Sequence, residues 1–169
     1  MVAPVPSIRV TKANDAPVRP EQDYVLYWMI ANRRVGSNFS LQHAAHYAEQ
    51  LRKPLVVFEA LRAGYPWACE RFHSFVIDGM RDSAAQCEKN AITYYGYIEP
   101  KAGDGAGLLE SLAKRACVVV TDEFPCFFLP RMVQGAAGRL GVRLEQVDSN
   151  GILPLRAGGR VFTTAASFR

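Results

Sequence analysis

Five short apolar runs alternate with amphipathic segments along the chain, a pattern typical of buried parallel strands joined by helices. Residues 24–29 (Tyr-Val-Leu-Tyr-Trp-Met) are all apolar or aromatic, and residues 117–121 (Cys-Val-Val-Val-Thr) are nearly so. The other three runs are residues 55–58, 92–97 and 142–147. Because residues 24–29 are apolar on both sides of the strand, we predict that this strand is central in the sheet, with both of its faces covered.

Apolar residues recur at helical spacing between these runs. The predicted helices run from Asn38 or Ser40 to just before Pro54, and then over residues 68–89, 108–113 and 128–140. In the second helix we expect the buried side to consist of Phe72, Phe75, Val76, Met80 and Ala84. The alternation β-α-β-α-β-α-β-α-β predicts a doubly wound α/β domain, Rossmann-like, with a five-stranded parallel sheet and helices on both faces.

The ends of the chain differ in composition from its middle. Residues 1–22 contain four prolines and are predicted to be an extended N-terminal arm without regular structure of its own. Residues 23–150 form the predicted α/β domain. Residues 151–169 contain Arg156, Arg160 and Arg169 and no acidic residue, and we expect them to be a linker leading toward an absent second domain of a longer protein.

Composition and charge exclude some classes of protein. The chain has 169 residues, 49% of them hydrophobic, and lacks any apolar run near the ~20 residues of a membrane-spanning helix. Its net charge of +4 permits contact with nucleic acid but does not require it. The four cysteines form no CxxC motif, so we expect buried, reduced thiols in a cytoplasmic protein; they are Cys69, Cys87, Cys117 and Cys126. No metal site is predicted, since the pair His43 and His46 has no evident third ligand.

Ligands of doubly wound domains bind outside the carboxyl ends of the strands, so binding residues are expected in the loops after the strands. None of them contains GxGxxG or GxxxxGK[ST], and no nucleophile elbow or Ser-His-Asp arrangement is present. The pattern therefore predicts binding and indicates no catalytic residue. Three glycines follow the third strand, where we favour a surface loop over a phosphate cradle; they are Gly103, Gly105 and Gly107.

Two polar pairs in these loops each allow two interpretations. Arg33 and Arg34 precede a helix and are either an anion site or a solvated surface pair. Asp122 and Glu123 directly follow a strand and either contact a ligand or cap a helix. The residues themselves leave both choices open.

Several segments resemble the DNA photolyase/cryptochrome family. The first three are residues 24–29, residues 32–41 (Asn-Arg-Arg-Val-Gly-Ser-Asn-Phe-Ser-Leu) and residues 53–58 (Lys-Pro-Leu-Val-Val-Phe). The later ones are residues 70–80, residues 118–122 and residues 146–154 (Gln-Val-Asp-Ser-Asn-Gly-Ile-Leu-Pro). The chain is most similar to the class II cyclobutane-pyrimidine-dimer photolyases, with Ser37-Asn38 where many members have Asp-Asn.

The resemblance implies a light-harvesting role. In the intact family, reduced FAD in a C-terminal helical domain repairs pyrimidine dimers in DNA under blue light. The α/β domain can hold a second, antenna chromophore, 8-hydroxy-5-deazaflavin or methenyltetrahydrofolate, which transfers excitation to FAD. Deazaflavin is expected here. The implied partners are the helical FAD domain and, through the intact protein only, damaged DNA; no membrane or metal partner is implied. The chain alone is not expected to catalyse repair. A nucleotide-binding domain and a purely structural domain remain alternatives.

The expected chromophore site combines the resemblance with loop position. Apolar side chains would sandwich the ring and polar ones would fix its edges. The candidates are Met29, Asn32, Arg33, Phe58, Glu59, Asp122 and Phe124. Arg33 is expected to be an exposed loop residue whose replacement leaves folding nearly unchanged.

Overall fold

A six-stranded mixed sheet organises the computed structural model, which describes residues 2–159 and 162–168. The strands lie in the order β1-β6-β5-β2-β3-β4, and all neighbours are parallel except β1 and β6. Their bounds are Val10–Lys12 (β1), Tyr24–Met29 (β2), Leu55–Leu61 (β3), Thr93–Ile98 (β4), Ala116–Glu123 (β5) and Leu144–Asp148 (β6).

Helices cover both faces of this sheet. They are α1 (Phe39–Leu51), α2 (Glu70–Lys89), α3 (Leu108–Ala113), α4 (Leu129–Ala137) and α5 (Ala165–Phe168), with 3-10 turns at Ser7–Arg9 and Leu155–Gly158. Residues of α1 and α2 join one hydrophobic core, and residues of α3 and α4 join the core on the opposite face. The predicted doubly wound α/β class is confirmed.

Strand β2 is central, as predicted. It pairs with β3 on one side and β5 on the other, and Val25, Leu26, Tyr27 and Met29 are fully buried. From β2 the chain continues outward to β3 and β4 and then returns to β5 on the other side. The loops after β2 and β5 therefore diverge, which creates the topological switch point where such sheets bind ligands.

Local signals set the ends of α1 as the sequence suggests. The Asn38 side chain accepts a hydrogen bond from the Leu41 N–H at 3.0 Å and caps the helix. The helix ends at Arg52, which adopts a left-handed conformation with φ of 53°, two residues before Pro54.

Two predictions are wrong. Residues 1–22 are not without regular structure, and the sheet has six strands and not five. Residues 10–12 form β1, an edge strand antiparallel to β6 in which Thr11 lies opposite Gln146. Arg9 is only 3% exposed, and its guanidinium donates to the carbonyl oxygens of Asp148, Gly151 and Ile152. A three-residue strand has too little periodicity to be recognised locally, since it depends on a partner far along the chain.

The predicted buried side of α2 is wrong in its first turns. Phe72 is 52% exposed and Phe75 is 78% exposed, whereas Met80 and Cys87 further along the helix are buried. A helix of 20 residues spans about 30 Å, but a strand of six residues spans only about 20 Å. The start of α2 therefore extends past the sheet, where no strand lies beneath it.

The cysteine prediction holds in part. All four thiols are free, and Cys87 and Cys117 are buried, but Cys69 and Cys126 are exposed. In the predicted linker, Arg156 forms an ion pair with Glu123, while Arg160 and Arg169 lie outside the described residues. Across the described part of the chain, no helix has the length and hydropathy needed to cross a bilayer.

Candidate functional site

The carboxylate of Asp122, at the end of β5, organises the loop after β2. Its Oδ2 accepts hydrogen bonds from the backbone N–H groups of Ile30, Ala31 and Asn32 at 2.9, 2.8 and 3.1 Å. Its Oδ1 accepts one from the Tyr27 hydroxyl at 2.8 Å, and the side chain is fully buried. Asp122 therefore does not cap a helix; its buried carboxylate anchors the first loop to β5.

Asn38 and Tyr27 extend this network. The Asn38 amide donates to the Tyr27 hydroxyl oxygen at 2.9 Å and to the carbonyl oxygens of Asn32 and Arg34. Burial, followed by the negative charge of Asp122, raises the pKa of Tyr27 well above its usual value. The phenol therefore stays neutral and acts as a hydrogen-bond donor to the carboxylate. We refer to this assembly of Asp122, Tyr27, Asn38 and the 30–38 loop as the polar crevice.

Arg33 is a partner of a buried carboxylate and not an exposed loop residue, so the expectation above is wrong on this point. Its guanidinium lies 3.1 Å from Glu59 Oε1 and donates to the carbonyl oxygen of Ala60 at 2.8 Å. The Tyr94 hydroxyl donates to the other oxygen of Glu59 at 2.8 Å. Glu59 is 1% exposed, so the guanidinium compensates a charge that water does not reach.

The seven candidate residues do not line one cavity. Met29 packs in the core that contains α1, whereas Phe58 packs in the opposite core and stacks on Tyr95 with ring centroids 5.7 Å apart. Asn32, Glu59 and Asp122 are buried and hydrogen-bonded within the protein. Arg33 is held by Glu59, and Phe124 lines a cavity on the β1 and β6 side of the sheet.

Glu99 occupies the glycine-rich loop. Its carboxylate accepts hydrogen bonds from the N–H groups of Ala63, Gly103 and Gly105 at 2.8, 3.0 and 3.3 Å. The bond from the Ala63 N–H, helped by those from Gly103 and Gly105, outweighs the opposing effect of desolvation and holds the pKa of Glu99 below its usual range. The amides that a phosphate would need are thus already engaged, in keeping with the predicted surface loop.

His43 of α1 pairs with a buried carboxylate. His43 Nε2 lies 2.8 Å from Glu145 Oε2, and both side chains are largely buried. Burial and the nearby Glu145 carboxylate raise the pKa of Tyr47, which donates to Glu145, to about 12. In residues 2–159 and 162–168, no group of three potential metal ligands is found.

An aromatic groove of about 570 Å³ lies at the carboxyl edge of the sheet. We call this cavity the aromatic groove. It is lined by Tyr65, Trp67, Phe72, Phe75, Val76 and Phe127. Trp67, Phe75 and Phe127 are 67%, 78% and 77% exposed. Tyr65 and Trp67 follow β3 and Phe127 follows β5, so the groove spans the end of β2, which lies between those strands.

Phe124 connects the groove to a second cavity. Its ring stacks on Phe127 with centroids 6.5 Å apart and planes only 3° from parallel. On its other side Phe124 lines a cavity of about 520 Å³ together with Lys12, Gln134 and Gln146.

The sequence does not reveal the groove, because its aromatic residues have the pattern expected of buried core residues. Phe72 and Phe75 have the spacing of a buried helix face. Two features of the sequence point to exposed aromatic residues at this place. Trp67 lies in a loop just before α2, and the predicted helix is longer than the strand that follows it.

Three curated proteins, each a deoxyribodipyrimidine photo-lyase, are similar to this chain. The protein from Methanothermobacter thermautotrophicus is 33% identical over 132 residues, which cover 78% of this chain and 29% of the relative. The proteins from Oryza sativa subsp. japonica and Potorous tridactylus are 28% and 25% identical, covering 86% and 84% of this chain and 30% and 27% of the relatives. The chain thus spans less than a third of the length of these relatives.

Family models and solved structures do not indicate a function for the chain. No protein-family model matches the chain. A solved structure of a protein from the universal stress protein family of Burkholderia pseudomallei covers 72% of the chain with a TM-score of 0.42 and 14% identity, a likeness too distant to bear on function.

Proposed function

We propose that the chain is the light-harvesting antenna domain of a DNA photolyase-like protein, most similar to class II enzymes. In this proposal the intact protein repairs cyclobutane pyrimidine dimers in DNA, using FAD held in a helical domain that accompanies this one. The observation that supports it is the similarity of three photolyases to about four fifths of this chain. The chain itself contributes a binding site and no catalytic residue.

The aromatic groove suits a planar antenna chromophore. Its volume of about 570 Å³ falls within the ~300–1,000 Å³ of ordinary ligand pockets. Exposed faces of Trp67, Phe75 and Phe127 can stack against a flat ring system. When bound, such a chromophore supplies only absorption and transfer of excitation, for which a fixed position is sufficient.

The chemistry of the lining favours deazaflavin over folate. None of the six residues of the groove carries a charge, and Tyr65 is the only one with a hydroxyl. A folate would bring an anionic glutamate tail that needs a cation, whereas most of the contact surface of a deazaflavin is its flat ring. The flat ring would therefore gain from stacking on the uncharged aromatic lining.

The polar crevice positions the site in this proposal. Phe124 touches Phe127 directly and supports the groove wall. Asp122, Asn32, Arg33 and Glu59 hold the neighbouring loop, and Met29 and Phe58 anchor the strands beneath it. The hydrogen bonds of the polar residues are made inside the protein, so we assign them to orientation of the site.

Fluorescence provides a direct test, because the chain has two tryptophans. A Trp28→Phe variant leaves Trp67 as the reporter in the groove. Titration with 8-hydroxy-5-deazaflavin is expected to quench this emission, and Phe75→Ala is expected to weaken binding about tenfold or more through lost stacking. Ile152→Ala is the matched control, since Ile152 is fully exposed outside the groove. Parallel titrations use methenyltetrahydrofolate and ATP.

A purely structural domain is the second candidate. It is favoured by the polar crevice, where Asp122 and Glu59 already have partners within the protein. No binding of deazaflavin, folate or ATP would support this candidate and overturn the antenna proposal, while binding of ATP alone would favour a nucleotide-binding domain.

A further inference from the structure

The two edges of the sheet are protected very differently. Strand β1 has three residues and ends in the exposed Lys12. Strand β4 has six residues, and Tyr95 and Ile98 are 39% and 49% exposed. Residues 91–98 contain no charged residue and no proline, and β4 pairs with β3 without a register shift. Soluble proteins normally block a long edge with charge, proline or a bulge, and β4 has none of these.

The outward backbone groups of β4 can be identified from its pairing. The Glu99 N–H donates to the Leu61 carbonyl oxygen at 2.9 Å, so odd-numbered residues direct their backbone groups toward β3. Alternation along a strand then directs those of Tyr94, Gly96 and Ile98 outward. Within residues 2–159 and 162–168, no hydrogen bond engages these outward groups.

We infer that β4 pairs with β4 of a second copy of this chain, antiparallel about a two-fold axis at Gly96, so that two six-stranded sheets become continuous. Gly96 then lies opposite Gly96, and Tyr94 of each copy lies opposite Ile98 of the other. This register engages every outward N–H and C=O group of the strand. A shift by one residue would oppose outward groups to inward ones, and a shift by two would leave part of the strand unpaired.

The side chains suit this register. Tyr94 opposite Ile98 is an aromatic and β-branched cross-strand pair, and Tyr95 opposite Tyr97 is an aromatic pair on the other face. No like charges come opposite each other, because the strand carries none. Gly96 cannot be replaced easily, since a Cβ there would lie 2.9 Å from Cε1 of Tyr94.

A second copy of the chain therefore fits the β4 edge, because the uncharged strand is complementary to itself under two-fold symmetry. The inference does not rest on the antenna proposal, and the two can fail separately. The β4 edge and the aromatic groove use different residues, so each can be altered alone.

Sedimentation equilibrium of the full chain tests the association. We expect a reversible dimer between about 1 and 100 µM, the weak range for a small interface. Ile98→Lys places a charge on the edge and is expected to raise the dissociation constant about tenfold or more. Thr11→Lys on the β1 edge is the matched control and leaves it unchanged. Circular dichroism of both variants verifies that they fold.

Amide hydrogen exchange tests the register. The amides of Tyr94, Gly96 and Ile98 are expected to become protected as concentration rises, while those of Tyr95 and Tyr97 are protected at every concentration. A chain that is monomeric throughout this range would overturn the inference. So would association that leaves the three outward amides unprotected, or association that is lost in Trp67→Ala and unaffected by Ile98→Lys.

Discussion

The polar crevice and the aromatic groove lie side by side at the carboxyl edge of one sheet, yet their side chains are used in opposite ways. In the crevice, charged and polar residues are buried and paired, as with Asp122 and the N–H groups of residues 30–32. In the groove, large apolar residues such as Trp67 and Phe75 are exposed. Polar residue types therefore hold the loop in place, while aromatic residues provide the open surface.

The largest expected effect is on the crevice. Asp122→Ala removes the acceptor of three backbone N–H groups and of the Tyr27 hydroxyl. Since four donors lose their acceptor and each buried one costs about 1–3 kcal/mol, we expect a loss of about 4 kcal/mol or more in the free energy of unfolding. Urea denaturation measures it. Asp78→Ala, in an exposed pair with Arg81, is the control and should cost under about 0.5 kcal/mol. Equal losses in both variants would contradict the role of Asp122 as the anchor of the loop.

Arg33 should give the next largest effect. Arg33→Ala leaves Glu59 buried with only the Tyr94 hydroxyl, so we expect a loss of about 2–3 kcal/mol, less than for a fully buried pair because Arg33 is 31% exposed. Arg34→Ala, next to it on the surface, is the control with a loss under about 0.5 kcal/mol. The double variant Arg33→Ala/Glu59→Gln should regain stability relative to Arg33→Ala alone. If it does not, the guanidinium is not compensating the Glu59 charge.

Acid should remove the stability that the Glu99 carboxylate gives to the glycine-rich loop. The pKa of Glu99 is lower in the folded protein than the roughly 4.3 of a free glutamate, chiefly through the Ala63 N–H. Its contribution to stability is therefore present above about pH 4.3 and is lost as pH falls through the lowered folded value. Stability measured between pH 7 and pH 3 should decline at the acid end. Glu99→Gln should show a shallower decline, and an unchanged slope would contradict the role given to this carboxylate.

The smallest effect is expected in the groove itself. Phe75→Ala removes a mostly exposed ring and should change the free energy of unfolding by under about 0.5 kcal/mol. Phe58→Ala removes a buried ring of the core and should cost about 3–5 kcal/mol. A substantial loss in Phe75→Ala would mean that the groove packs against something within the chain, and the docking of a ligand there would lose its support.

The sequence predicts the strands well because their signal is local. Residues 24–29 are continuously apolar and form β2 with the same bounds, and the helix signal at Asn38 and Pro54 delimits α1. The sequence does not predict features that depend on contacts between residues far apart in the chain. The pairing of residues 10–12 with β6, the ion pair of Arg33 with the buried Glu59 and the overhang of α2 at Phe72 are decided by tertiary contacts. For the candidate site, residue type indicated the correct edge of the sheet but not which side chains have their partners inside the protein.

The pairing of β1 with β6 also sets an order of events during synthesis. Arg9 and its acceptor Asp148 are separated by 139 positions. At about 5–20 residues per second, a ribosome needs on the order of 10 s to make the intervening chain. Residues 10–12 are therefore made well before the strand with which they pair, and β2 to β5 can assemble in the meantime.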